Sequence, residues 1–405
     1  MLRAFAALLT TILLTGCAGL AEPDWLVELR AREAEPLPVQ TVGSTDGFFS
    51  AEVPAVAGWI ESDETAYHVS FDAGVESPID CWIYREGIDF AGSLSRLSEE
   101  TFGAISAHLG EVKQRRIERV DAGAIAASPY LAVDWLYLIE VGGERQIGQI
   151  KHLVASREGR GVYCQHNEVG YAATFRRVVG ALLESLAYGE PADRTPYYAA
   201  VSTMTVRGMR VGVEYTTLTR DGELDTRVDR RTSLLLPVTS DTLQVSDTFA
   251  VEFARPDGSL INQVHVESND GELVSNLELA PEEAGAWVVE GTFQGKPVQA
   301  RIDSGKAPSS WLGESLALRS ALEESPAGAS VTSTRWVPEA DPTRLLDGTV
   351  TVERRIDAEH FAAKVDAAGL EADVVVNREG TVTSGSVDMG MASMHFEQVY
   401  AHGAF

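Results

Sequence analysis

Cysteine is scarce: Cys17, Cys81 and Cys164 are the only three in a chain of 405 residues. So few exclude a disulfide scaffold or a structural zinc cluster, and no Cys-x-x-Cys occurs. Basic residues are outnumbered, with 33 Lys and Arg against 60 Asp and Glu and a formal net charge of −27. That balance works against a phosphate-backbone partner, because nucleic-acid binding draws on Lys/Arg clusters and counterion release. The amino-terminal apolar run, Ala4 to Leu14, covers 11 residues. A helix crossing the roughly 30 Å hydrocarbon core needs about 20. There is no His-Glu-x-x-His, no Gly-x-Ser-x-Gly elbow and no Gly-rich phosphate loop followed by Lys-Ser/Thr. What is abundant is core material: 44% apolar residues, with 7 Trp, 11 Tyr and 13 Phe. That excludes wholesale disorder and fibrous structure, and the length suits two or three domains at roughly 100–200 residues each.

Residues 1–16 combine one cation, Arg3, with the short apolar run and small residues ahead of a Cys, the pattern of an export signal. The end of that signal, Leu14-Thr15-Gly16-Cys17, resembles the lipobox of bacterial lipoproteins. The resemblance implies cleavage before Cys17, a diacylglyceryl group on its thiol and acylation of the new amino group. Multiple acyl chains give stable anchoring where one is marginal. Ala18, rather than Asp, follows Cys17, which in this family implies the outer membrane, facing the periplasm. The alternative is an ordinary secretory signal with a chance Cys. Removing residues 1–16 takes away one cation and no acid, so the mature charge moves from −27 to −28. Such a surface repels anionic head groups, and membrane contact beyond the anchor is not expected.

Residues 17–46 carry Pro23, Pro36, Pro38 and several Glu with little apolar periodicity, and read as a tether. A second punctuation, Gly189 to Pro196, suggests a boundary between a domain at 47–190 and another at 197–405. In the first, Tyr67–Phe71 and Cys81–Tyr84 have strand composition, and further strands are expected near 130–141, 146–155 and 160–166. A helix is expected from Ser98 as cap, with Phe102, Ile105, Leu109 and Val112 on one face. Phe175, Val178, Val179, Leu182, Leu183 and Leu186 mark a closing helix at about 171–188. The fold class is α+β: an antiparallel-sheet α/β sandwich domain followed by a mostly β domain. The order of elements, with Tyr171 and Phe175 in the closing helix, resembles the PsbP/Mog-type sandwich, whose members mostly bind partners or stabilise complexes.

In the second domain, Asp221-Gly222, Asp257-Gly258, Asp270-Gly271, Asp347-Gly348 and Glu379-Gly380 punctuate alternating apolar runs. Asp-Gly supplies the positive φ of tight hairpins, so this half reads as a curved antiparallel meander. One helix interrupts it near Ser310–Glu323. The architecture is similar to the half-barrel of LolA-type lipid carriers, which implies a concave face holding an apolar ligand or a partner strand.

Cys81 and Cys164 form an even pair within one domain, a disulfide candidate in an oxidising compartment, the alternative being two buried thiols. His166, two residues from Cys164, does not by itself make a dyad. The other histidines (His68, His108, His152, His265, His360, His395 and His402) read as surface or satisfied core residues. His395 and Glu397 share one strand face but lack a third metal ligand. Asp221-x-Glu223-x-Asp225 resembles the start of a calcium loop without its Gly and late Glu, and reads as turn acids. Arg301-Ile302-Asp303-Ser304-Gly305 resembles the catalytic loop of aspartic peptidases, in which two carboxylates share a proton. No second Asp-Ser/Thr-Gly is present, and Lys306 stands where that family prefers a small residue. The expected protein is therefore a non-enzymatic, lipid-anchored envelope lipoprotein of binding, docking or carrier type. It needs no cofactor or metal; its partners would be the membrane, through Cys17, and an apolar ligand or envelope protein. A periplasmic hydrolase built on Asp303 and a structural envelope spacer are the alternatives.

Overall fold

The computed structural model describes residues 23–190, 195–222, 225–303, 305, 307–324, 328–367, 369–388, 390 and 392–405. Cys17 and the expected export signal, Pro191–Arg194, Glu223, Ser304 and Lys306 lie outside the described residues.

The first body begins with helix α1 (Asp24–Ala34) and strands β1 (Val39–Gly43), β2 (Phe49–Pro54), β3 (Ala57–Ser62), β4 (Ala66–Asp72) and β5 (Ile79–Tyr84). Helix α2 (Phe90–His108), strands β6 (Glu111–Ile125), β7 (Ser128–Val141), β8 (Glu144–Arg157) and β9 (Arg160–Asn167), helix α3 (Ala172–Ser185) and a short β10 (Ala187–Tyr188) complete it. Seven of these strands form one antiparallel sheet in the order β3-β4-β5-β9-β8-β7-β6, and β1-β2-β10 form a small second sheet. Alternation along the strands sends two sets of side chains to opposite faces. Val69, Phe71, Ile79, Ile83, Leu153 and Val162 pack on α3 and the small sheet, and Leu131, Val133, Trp135 and Ile150 pack on α2. The stripe read in the sequence is the buried one: Phe175, Val178, Val179, Leu182 and Leu183 of α3 are all within 3% of full burial.

Three expectations change here. The stretch expected as a tether holds α1 and β1. Leu26, Leu29 and Glu33 share the less exposed side of α1, and the Glu33 carboxylate accepts the Ala173 and Thr174 N–H groups at the start of α3. β1 pairs along its length with β2, from Val39 opposite Pro54 to Gly43 opposite Ser50. Ser98 is not a cap. The helix starts eight residues earlier, and the Ser98 hydroxyl donates back to the Leu94 carbonyl at 2.8 Å. Val112 belongs to β6, a strand whose two bulges, at Val112/Gln114 and Ile117/Arg119, break the alternation that would reveal it.

The second body is one sheet of fourteen antiparallel strands. Its first run is β11 (Tyr198–Val206), β12 (Met209–Asp221), β13 (Asp225–Pro237), β14 (Leu243–Ala254), β15 (Leu260–Asn269), β16 (Glu272–Pro281), β17 (Trp287–Phe293) and β18 (Lys296–Ile302). After helix α4 (Trp311–Glu324) come β19 (Ser330–Trp336), β20 (Leu345–Arg355), β21 (His360–Ala367), β22 (Leu370–Asn377), β23 (Val382–Asp388) and β24 (Ser393–Gly403). The two meanders join where the first strand, β11, pairs with the last, β24. The sheet curls until its edges approach: Trp336 of β19 packs with Leu260, Leu279, Trp287 and Ile302 from the far end. Helix α4 sits inside the curl. Leu312 meets Tyr198, Leu218 and Val228, while Leu318 and Leu322 meet Phe361, Val374 and Val376. The turn signals at Asp257-Gly258, Asp270-Gly271 and Glu379-Gly380 fall between strands and Asp221-Gly222 straddles the end of β12, but Asp347-Gly348 lies within β20. There Gly348 runs opposite Ala367 and Ser333 as ordinary ladder.

The fold is thus α+β, an antiparallel sandwich body followed by a mostly β body with one helix. No helix among the described residues is long and apolar enough to cross a membrane. The bodies share a core, since Val201, Val213, Leu235 and Val245, on the outer face of the curled sheet, are buried with Phe90, Leu94 and Trp135.

Candidate binding cleft

The concave face, where an apolar ligand was expected, is occupied by α4 and by charge. Inward positions on β12, β13 and β14 carry Glu214, Arg230 and Glu252. Arg230 pairs with Glu214 at 3.5 Å, Glu252 accepts the Trp311 N–H at 2.6 Å, and Arg335 makes a fork to Glu314. About 190 Å³ remains, lined by Arg230, Glu252, Glu314, Arg335 and His265 among others. Alternation shows that a strand has two faces but not which one the curl will enclose, so the sequence could not place these charges.

The large open space lies on the other side. A cleft of about 1410 Å³ runs between the amino-terminal half of α2 and the outer face of β12–β15. Strand register arranges its floor in rows. Val213, Ser233, Asp247 and Ser268 lie opposite one another across four strands, and next to them Tyr215, Arg231, Phe249 and Val266 form a second row. Thr217 with Asp229 and Thr219 with Arg227 follow. Ile88, Phe90, Arg96, Glu99, Pro129 and Glu158 of the first body form the opposite wall.

Most charges here are engaged. Arg227 donates to Asp229 through Nε at 3.1 Å and Nη2 at 2.7 Å, and Arg96 pairs with Glu100 at 3.1 Å. Asp247 bridges the two bodies. Its Oδ1 accepts the Ala91 N–H at 3.0 Å and the Ser233 hydroxyl at 2.5 Å, and its Oδ2 accepts the Gly92 N–H at 2.8 Å. Asp89, at the N-cap position of α2, makes no side-chain cap bond, so the cap comes from 156 residues downstream. Burial pushes the Asp247 carboxyl above the usual range, against the pull of those three donors. Burial likewise pushes the Tyr215 phenol up to about 12. The Thr219 hydroxyl, deep at one end of the cleft, has no hydrogen-bond partner among the described residues. Asp247→Ala is expected to cost about 1–2 kcal/mol by stripping the cap, and Asp247→Asn less, read by thermal unfolding of the full chain.

The residues singled out from the sequence lie elsewhere. Cys81 and Cys164 stand directly opposite on β5 and β9 and are joined in a disulfide at the centre of the first core. His166 lies beyond it in a buried row with Asp134 and Lys151, register neighbours on β7, β8 and β9. The Lys151 ammonium donates to the Glu168 carbonyl at 2.5 Å and sits 3.4 Å from His166 Nδ1. Burial lowers Lys151 to about 8 and His166 to about 3, and raises Asp134 to about 6. Perturbed values of this kind mark catalytic groups when a substrate can reach them; Lys151 and His166 are both 0% exposed, and the row acts as a polar seam in the core. His152, on the opposite face, bonds the Tyr163 hydroxyl at 2.6 Å and is lowered by burial to about 3.

His68 stacks on Trp82 and pairs with Asp80, His360 pairs with Asp357, and His265 lies 3.8 Å from Glu339. His108 ends α2, and His395, Glu397 and His402 are exposed on β24. No group of three His, Cys, Asp or Glu side chains among the described residues is placed to hold a metal ion. Asp221 and Asp225 face each other at the β12–β13 hairpin. Asp303, just past the end of β18, is exposed and held by Arg301 at 3.0 Å, and the same guanidinium pairs with Glu282 at 2.8 Å.

The cleft residues were missed because charged residues sit on both faces of β13. Arg227, Asp229 and Arg231 point outward while Arg230 points inward, which erases the alternation.

No protein-family model matches the chain, and no curated protein matches it in sequence. Among solved structures it is similar to a β-barrel-like protein of the domain of unknown function DUF1849 from Brucella abortus, with 15% identity and a TM-score of 0.41 over 52% of this chain and 98% of that one. A DUF1089 family protein from Pseudomonas aeruginosa gives 15% identity and a TM-score of 0.25 over 42% of this chain and 86% of that one. A protein from Bacteroides thetaiotaomicron gives 8% identity and a TM-score of 0.25 over 41% of this chain and 52% of that one. At these scores the likenesses carry no functional argument, and function rests on the geometry of the cleft.

Proposed function

We propose that this chain is a lipid-anchored envelope lipoprotein that binds a ligand, without catalysis, in the cleft between its two bodies. The observation that carries the reading is the cleft itself, about 1410 Å³ of half-open space with apolar and polar walls, held by a shared core. Binding sites concentrate at such domain junctions. Binding rather than catalysis fits because Glu99, Asp229, Asp247, Asp270 and two of the cleft's three guanidinium groups are already spent on ion pairs or on backbone. Ser233, which donates to Asp247, is only 6% exposed, and that carboxylate is taken up in capping α2. The anchor rests on Leu14-Thr15-Gly16-Cys17, and the outer-membrane, periplasm-facing placement rests on Ala18.

Two measurements test this. Metabolic palmitate labelling is expected to mark the wild-type chain and leave Cys17→Ala unlabelled; an unlabelled wild-type chain removes the anchor. A cysteine placed at Ser268, on the cleft floor, is expected to react slowly with maleimide in protein extracted from the envelope and faster after solvent stripping. Equal rates would remove the occupied cleft.

A further inference from the structure

Three guanidinium groups line the cleft among its described residues: Arg96, Arg227 and Arg231. The first two have carboxylate partners, Glu100 and Asp229. Arg231 has none among the described residues. Its guanidinium carbon lies over Phe249, 4.6 Å from the ring centroid, with Tyr215 opposite it on the other neighbouring strand. Aromatic flanks remove water from a guanidinium without supplying an anion, and an unpaired, partly desolvated cation is costly until one arrives. The row continues into Val266, and Ile88 and Phe90 face it from the other body. One unsatisfied cation set in an otherwise apolar row is complementary to one anionic head on an apolar body. A neutral lipid would leave Arg231 unpaired, and a polyanion would meet Asp229 and Asp247 on either side.

We propose, resting on the cleft as binding site, that the ligand is an anionic amphiphile whose carboxylate or phosphate pairs with Arg231 while its apolar body lies along Phe249 and Val266. A guanidinium recognises either head through two parallel N–H donors.

The test uses the mature full-length chain in nanodiscs, with empty nanodiscs as blank, and 11-(dansylamino)undecanoate as the fluorescent probe. Dodecanoate, dodecyl phosphate and dodecanol compete, all below micelle formation. The acids are expected to displace the probe at concentrations about tenfold or more below dodecanol, as for a charge-assisted hydrogen bond. Arg231→Gln should erase that difference and Arg231→Lys should keep most of it. A stronger dodecanoate arm identifies a free fatty acid, and a stronger dodecyl phosphate arm a phosphorylated head group. Dodecanol competing as well as the acids, or Arg231→Gln retaining the difference, would overturn the inference. Thr217→Trp, which fills the floor, separates the two failures. Probe binding that survives Thr217→Trp defeats the cleft as site, whereas binding lost there but unchanged in Arg231→Gln defeats only the anionic head.

Discussion

Replacing both Cys81 and Cys164 with Ala should lower the unfolding free energy of the first body by about 4 kcal/mol. The bond closes a loop of 83 residues, and chain-entropy arguments put a loop of that size on the order of 4 kcal/mol. Both sulfurs sit in the α3-side core at 0% exposure, so the alanines add a small loss of packing. Equilibrium urea unfolding reads this through Trp82 and Trp135, which both lie in the first body. The midpoint should fall by more than 1 M at an m value of about 1–3 kcal/mol/M, and reducing the wild-type protein should reproduce the shift. Coincident curves for wild type and the double variant would mean that the sheet is held without the bond.

Acid should destabilise the protein well before its carboxylates are neutralised. His152 and His166 are held neutral in the core, with values near 3 against 6.5 for the free side chain. The unfolded chain takes up those protons as the pH falls below 6.5 and the folded chain does not, so stability is lost on acidification from 6.5 towards 3. At pH 5 each histidine has lost about 2 kcal/mol, from 1.5 units at 1.36 kcal/mol per unit. Asp134, raised to about 6, acts with the opposite sign. Its buried charge is relieved as the pH falls from 6 towards 3.8, which returns about 1 kcal/mol at pH 5. These three groups together give an expected loss of about 2–3 kcal/mol between pH 7 and pH 5. His152→Gln should remove close to half of the histidine contribution. A stability that is flat from pH 7 to 5 would contradict the buried neutral histidines. Lys151, lowered to about 8, contributes in the alkaline range, where stability should rise as the pH goes from 8 towards 10.5.

Sequence patterns revealed elements whose signal is local. The α3 stripe from Phe175 to Leu183, the strands around Tyr67 and Cys81, and four of the five Gly turns of the β body reflect backbone preference and side-chain period, and both survive folding. What escaped detection depends on distant residues. The start of α2 has no local cap because Asp247 supplies one from another sheet. Strand β6 hides behind its bulges. Residues 24–43 looked like a tether because α1 buries no residue fully; it is held by Glu33 capping α3 and by β1 adding to β2. The cleft was illegible for the same reason. It is a relation between two faces, one on α2 and one on β12–β15, and neither carries a motif.

Native mass spectrometry of the protein isolated gently from its source cells decides whether the cleft carries a ligand. A small bound mass is expected on the wild-type chain and is expected to be missing from Thr217→Trp. A wild-type spectrum showing only the chain with its covalent modifications, or the same bound mass on both proteins, would mean that the cleft holds no ligand.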